Sequence, residues 1–281
     1  MPASSETSAP DLVLDGCTKR FHTAGREVVT ALDHVDLSVE PGTFVSIIGS
    51  NGAGKSTMLS LIAGSLLADE GRILVRDHDV TTMPSWKRIR RVSRVRQNPQ
   101  DNMVSTLTIE ENFALALAGK KGRFALRRTS SSTVREIAAE VLRPLGMGLE
   151  DRMSTVSGSL SGGQRQAIAV AMASLGSPAV MLLDEHVAAL DPNSAARVNE
   201  VTERIVRDQQ ITALMVTHDM GHALTHADRL LMMHQGRIVL DFEGSDLTGL
   251  TVRDLQQRFV RLSGGTLSDA AILSAEGETR A

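Results

Sequence analysis

The chain has 281 residues, 42% of them hydrophobic and 22% charged, with a formal net charge of -3. That composition suits a water-soluble globular protein of one domain with an insertion, or of two small domains, and gives no reason to expect nucleic-acid binding. Aromatics make up only 2%, too few for a single-strand stacking platform; the single Cys17 excludes an internal disulfide, and no apolar run approaches the ~18–20 residues of a membrane helix.

In chain order, Met1 to Pro10 is polar and lacks the charged-then-apolar pattern of a signal peptide, so it reads as a disordered tail. Asp11 to Cys17, Val28 to Leu32 and Val35 to Val39 read as strands of an antiparallel layer, with Cys17 a small buried strand residue. Phe44 to Ile48 is an apolar run that reads as a buried strand, and Thr57 to Ala63 reads as a helix ending before Gly64. Between them lie Gly49, Ser50, Asn51, Gly52, Ala53, Gly54, Lys55, Ser56 and Thr57. A strand, a glycine-rich turn and a helix N-terminus form an anion site, because free backbone N–H groups and the helix dipole converge there. The glycines let phosphate approach the backbone where a Cβ would block it. Lys55 then carries a mobile charge to the β- and γ-phosphates of a nucleotide, and the Ser56 hydroxyl is placed to ligate Mg²⁺.

Gly71 to Val75 predicts a strand, Arg76 to Asp79 a turn, Trp86 to Arg91 a short helix and Val92 to Arg96 a strand, followed by a polar loop from Gln97 to Asn102. Thr108 with Glu111 has capping-box spacing before a helix running through Phe113 to Ala118, and Thr133 with Glu136 repeats it before a helix to about Leu145. The intervening Gly119 to Ser132 reads as a flexible link. Two basic stretches, Lys87 to Arg91 with Arg94 and Arg96, and Lys120 to Arg123 with Arg127 and Arg128, read as solvated surface, with anionic lipid or a partner as the alternative. Gly158 to Gln166 opens a helix from Gln164 to Leu175. Ala179 to Leu183 is fully apolar and ends in Asp184-Glu185, the pattern of a buried parallel strand. Beside a phosphate loop, such a carboxylate pair offers one ligand for Mg²⁺ and one group to polarise an attacking water. A helix from Asn193 to about Gln209 precedes a strand from Ile211 to Val216 that ends at Thr217-His218-Asp219. Arg229 to Met233 and Arg237 to Asp241 read as a hairpin, and Val252 to Phe259 as a last helix. The histidines lack persuasive metal-ligand spacing; His222 and His226, at i and i+4, read as helix surface. The alternation of strands and helices predicts α/β with a mostly parallel central sheet.

Leu160-Ser161-Gly162-Gly163-Gln164 completes a set of motifs by which the chain resembles the nucleotide-binding ATPase subunit of ATP-binding-cassette (ABC) transporters, over about Leu12 to Phe259. Gly49 to Thr57 matches Walker A, Gln97 the Q-loop glutamine, Leu160 to Gln164 the family signature, Val180 to Glu185 Walker B, Ala189-Leu190-Asp191 the D-loop and His218 the switch histidine, all in the family's order. The resemblance implies an α/β P-loop NTPase (RecA-like) core at 11–97 and 161–260, with an antiparallel β layer, an inserted helical subdomain at 98–160, and tails at 1–10 and 261–281. It implies ATP and Mg²⁺ as cofactors, Glu185 as general base, His218 as γ-phosphate partner, and Phe21 as the adenine platform. Ser56, Gln97 and Asp184 are the implied metal ligands. Ser161, Gly162, Gly163 and Asp191 would act across a head-to-tail dimer of ATPase subunits, each site closing on ATP and opening after hydrolysis. The implied partners are a transmembrane permease, a second ATPase subunit and, through the permease, a substrate-binding protein, but no nucleic acid. The implied location is the cytoplasm, peripheral at the inner face of the membrane. Hydrolysis would then energise a separate permease, with import the expected direction. The alternative is a soluble ABC-type ATPase acting as a mechanical or assembly factor, although the interval between Walker A and the signature has no sustained heptads. His186 departs from the family's proline after the catalytic glutamate, which puts fine positioning of the D-loop in question.

Overall fold

A computed structural model of the protein describes residues 9–22, 28–121 and 131–262. Most of both expected tails, and Arg123, Arg127 and Arg128 of the second basic stretch, lie outside the described residues. The contacts divide the chain into two units, 1–84 with 212–281 and 85–211. Among the described residues no helix is long and apolar enough to cross a membrane.

Among its described residues, the first unit holds two sheets. One is antiparallel, in the order β2-β1-β4-β5, from β1 (Leu12–His22), β2 (Val28–Val39), β4 (Glu70–Val75) and β5 (His78–Asp79). The two strands expected over 28–39 are a single one. Between the pairs Cys17–Val35 and Lys19–Leu32, β2 carries an extra residue, and His34 sits there at φ 47° as a bulge. The donors this frees are satisfied: His34 N donates to Thr18 Oγ1, and Asp33 N to the Gly236 carbonyl. A polar Asp-His pair therefore bends the strand without ending it. β1 likewise outruns its expected end at Cys17, whose side chain is fully buried.

The second sheet of this unit places β3 (Phe44–Gly49) between parallel neighbours β8 (Thr212–Val216) and β9 (Arg229–His234), with β10 (Arg237–Glu243) antiparallel on β9 as the expected hairpin. β3 and β8 are buried throughout, as strands covered on both faces require. α1 (Lys55–Ala63) follows β3 and stops at Gly64, a left-handed C-cap. α7 (Met220–His226) and α8 (Val252–Leu262) close an apolar cluster in which Leu255 and Phe259 pack with Ile48, Met220, Leu230 and Met232. Met232 and Met233 are fully buried.

In the second unit, α2 (Ser85–Arg88) leads to β6 (Val92–Val95), which pairs in parallel with β7 (Val180–Asp184). α3 (Ile109–Lys121) starts at the expected capping box: Thr108 Oγ1 accepts from Glu111 N, and Glu111 Oε2 accepts from Thr108 N at 2.8 Å. The box expected at Thr133 does not open a helix, because α4 (Ser131–Leu142) has already begun two residues earlier. The Ser131 hydroxyl instead donates to Glu110 on α3, and Arg135 pairs with the same carboxylate at 2.5 Å. α5 (Gly162–Ser174) buries most of its length and packs on α6 (Pro192–Asp208).

Candidate nucleotide site

In the first unit, β3 and β8 pair through Ile47 and Val216. Gly49 and His218 each lie two residues further on, so parallel pairing delivers the start of the phosphate loop and the histidine to the same end of adjacent strands. Thr217 N donates to the Ile47 carbonyl at 3.2 Å, fixing the turn that carries His218, and Asp219 caps α7 through His222 N at 2.8 Å.

Two of the loop's glycines are dictated by the protein itself as well as by a ligand. A Cβ on Gly49 would lie 2.1 Å from the Met233 carbonyl oxygen, and one on Gly54 2.4 Å from that of Ala31. Gly52 has open space around it but a φ of +78°, so its requirement is conformational. The β9–β10 turn braces the loop, since Gly236 N donates to the Ala53 carbonyl at 3.0 Å. Lys55 is 6% exposed and folds back over the loop, its Nζ donating to the carbonyls of Gly49 at 2.6 Å and Ser50 at 3.0 Å. Ser56 and Thr57 stand in the first turn of α1. Phe21 on β1 keeps 38% of its surface exposed, with the Lys19 ammonium 5.7 Å from its ring centroid. That leaves an aromatic face open rather than spent on the core.

The second unit gathers Gln97, Ser161, Gly162, Gly163, Asp184, Glu185 and Asp191. β7 ends at Asp184, and Glu185 turns the chain in a left-handed conformation, φ 46°, unusual for a branchless acidic residue outside a tight turn. Ala188 N donates to the Glu185 carbonyl, and Leu190 N to that of Val187. These turns end at Asp191, the N-cap of α6, whose carboxylate accepts from Ser194 N at 3.1 Å. Hydrogen bonds from the Ser194 side chain and then its backbone hold the Asp191 carboxyl below its usual range. His186 is 1% exposed, and its Nε2 lies 3.2 Å from Thr202 Oγ1 on α6. The Thr202 hydroxyl hydrogen is directed to the Val198 carbonyl at 2.7 Å, so the ring nitrogen is the donor. A hydrogen bond thus anchors the segment where proline would have stiffened it.

Ser161 caps α5 in a reciprocal box with Gln164, and its glycines face the D-loop region: a Cβ would meet Leu190 Cδ2 at 3.1 Å from Gly162 and Ser194 Cβ at 3.0 Å from Gly163. The signature and Asp191 are therefore two helix N-termini packed side by side, bordering a cavity of about 260 Å³ beside Ser161, Gly163 and Gln164. Gln97 follows a pinned peptide. Asn102 Oδ1 accepts from Arg96 N at 2.8 Å, while the Arg96 carbonyl accepts from Asn102 Nδ2 at 2.9 Å and from the buried Gln166 Nε2 at 3.2 Å.

The first basic stretch is not a uniform solvated or docking face. Arg88 is fully buried, and Arg94 reaches along β6 to put Nη2 2.5 Å from Asp184 Oδ2. Sequence reasoning missed this pair because it grouped arginines by proximity in the chain. The signal available was a single charge inside an otherwise uncharged buried strand, Val92-Ser93-Arg94-Val95.

A family profile described as ABC transporter matches residues 32–188, more than half of the chain. The chain belongs to the ABC transporter family. Among its relatives, the tyrosine transport ATP-binding protein of Clostridioides difficile is 39% identical over 248 residues, covering 88% of this chain and 98% of that protein. The methionine import ATP-binding protein MetN of Rhodopseudomonas palustris is 34% identical, covering 92% and 68%. A dimeric ABC-type cassette solved with ADP and Pi in a post-hydrolysis state superposes at a TM-score of 0.71, with 27% identity over 85% of this chain and all of that one. A cassette of an ABC transporter in its ADP conformation gives 0.73, with 28% identity over 91% and 99%. As an ABC ATPase the chain binds and hydrolyses ATP, on the P-loop NTPase fold its sequence predicted.

Proposed function

We propose that this ABC ATPase energises a separate membrane permease for solute import, working as a head-to-tail dimer at the inner face of the membrane. The observation that carries the reading is the presence in one chain of two helix N-termini of the kind that suits an anion, the Lys55-bearing loop before α1 and the Ser161-capped start of α5. Each suits one side of a shared nucleotide. The names of the relatives, which include tyrosine transport and methionine import, support import. Trp86, 70% exposed, and the half-exposed Val104 and Leu115 flank Gln97 in the chain and offer apolar surface to a permease.

Within the site, Lys55 and the loop N–H groups bind the phosphates, and Phe21 stacks the adenine. Glu185 accepts the proton of the attacking water, His218 holds the γ-phosphate, and Asp191 with the signature closes the dimer. Ser56, Asp184 and Gln97 each carry a hard oxygen donor of the kind Mg²⁺ takes and would hold the ion, which would supply charge neutralisation at the phosphate oxygens.

The test is a detergent pull-down of tagged protein from native membranes, followed by mass spectrometry. A co-purifying multi-span permease, with or without a substrate-binding protein, is the expected outcome. Recovery of soluble partners alone from gently solubilised membranes would overturn the permease assignment.

A further inference from the structure

We infer that Arg94 is a built-in counter-ion that competes with the divalent cation for Asp184, and so ties occupancy of the metal site to the strand leading into Gln97. The inference rests on the assignment of Asp184 as a metal ligand.

Three observations carry it. Arg94 Nη2 and Asp184 Oδ2 are 2.5 Å apart, and the two side chains are only 18% and 16% exposed. A part-buried ion pair of this kind adds little net stability, because desolvating the two charges offsets much of their attraction. Second, Arg94 sets a guanidinium on the same carboxylate oxygen that a cation would take. A divalent cation arriving at Asp184 meets a fixed positive charge on the same group, which screening at this depth only partly relieves. Third, β6 is rigidly connected downstream. Two residues after Arg94, the Arg96 peptide is held by Asn102 on one side and by Gln166 of α5 on the other, and Gln97 is next. Arg94 is thus a positioning residue: when the cation takes Asp184, the guanidinium withdraws, and the strand that carries it also carries the Gln97 loop and touches the signature helix.

The experiment measures ATP affinity by calorimetry in EDTA and across a MgCl₂ titration, for the wild type, Arg94→Met, Arg94→Lys and Asp184→Asn. Arg94→Met is expected to lower the Mg²⁺ concentration giving half of the metal-dependent gain in ATP affinity by about fivefold, as for loss of a partly screened charge, with affinity in EDTA unchanged. Arg94→Lys keeps the charge and stays near the wild type. Hydrogen exchange at residues 96–102 is expected to respond to Mg²⁺ with ATP in the wild type and not in Arg94→Met. If Met is not tolerated at this position, Arg94→Gln is neutral and serves the same comparison. An unchanged or increased Mg²⁺ requirement in a folded neutral variant overturns the inference, as does a lysine variant that behaves like methionine. An Asp184→Asn protein with normal Mg²⁺ dependence removes Asp184 as a ligand, and the failure then lies in the underlying assignment.

Discussion

Lys55 spends its ammonium on the carbonyls of the loop it serves, 2.6 and 3.0 Å away. An incoming phosphate therefore takes over a donor already held in place, which limits the side-chain entropy lost on binding. Lys55→Ala is expected to weaken ATP binding by at least about tenfold, read by calorimetry, because charge-assisted contacts are worth roughly 1.5–3 kcal/mol. Glu185→Gln keeps the shape of the side chain and removes the proton acceptor. It is expected to retain ATP binding while turnover falls by about 10²–10⁴-fold; wild-type turnover would remove Glu185 as the base. Motif residues were legible one by one because their chemistry needs a fixed order of types. What the sequence hid was the company they keep. The clash of a Gly49 Cβ with Met233 and the pairing of Arg94 with Asp184 join residues 184 and 90 positions apart, beyond any local pattern.

At the scale of elements, strands with strong apolar runs, β3, β7 and β8, were readable to within a residue or two, whereas β1 and β2 were cut short. Bulges at Gly16 and His34 interrupt their alternation, and a polar pair inside a strand looks like its end. The join between the two sheets of the first unit is a polar knot. Asp11, 2% exposed, accepts from Arg76 Nε at 2.6 Å and from Thr212 Oγ1 at 2.7 Å, and that same hydroxyl oxygen accepts from Gly42 N. Thr212→Val strands the buried Asp11 carboxylate oxygen and the half-buried Gly42 N–H, and is expected to cost about 1–3 kcal/mol in denaturant unfolding. The clip between α3 and α4 has a pH signature. The Ser131 hydroxyl, with help from Arg135, holds Glu110 below the usual carboxylate range. A depressed carboxylate stabilises the fold above its unfolded value, about pH 4.3, and that contribution is lost as pH falls through the lower folded value. Glu110→Gln is expected to flatten this part of the acid limb in a melting-temperature profile taken from pH 6 to pH 3.

On the scale of the molecule, the chemistry is divided between two contact-dense units. The phosphate loop and His218 belong to the first, and Gln97, the signature, Asp184, Glu185 and Asp191 to the second. The sequence made the α/β class and the P-loop core legible, since alternating elements around a glycine-rich turn admit few other folds. It could not reveal the division into these units, because that depends on packing across the whole chain. Trapping hydrolysis is expected to reveal the assembly: Glu185→Gln with ATP and Mg²⁺ should elute as a dimer in size-exclusion chromatography, and the wild type with ADP as a monomer. A Glu185→Gln protein that stays monomeric under those conditions would overturn the head-to-tail arrangement.

The brace on the phosphate loop also has a consequence for biosynthesis. Gly49 is shaped around Met233, and Ala53 is hydrogen-bonded by Gly236, so a motif finished early in translation is completed by residues made some 180 positions later. Contacts of such long separation form late. Ribosome-bound chains arrested before residue 229 are expected to ignore ATP, and those extended past Glu243 and clear of the exit tunnel to bind it. The nascent protein would then stay silent toward the cell's nucleotide pool until its sheet is nearly whole.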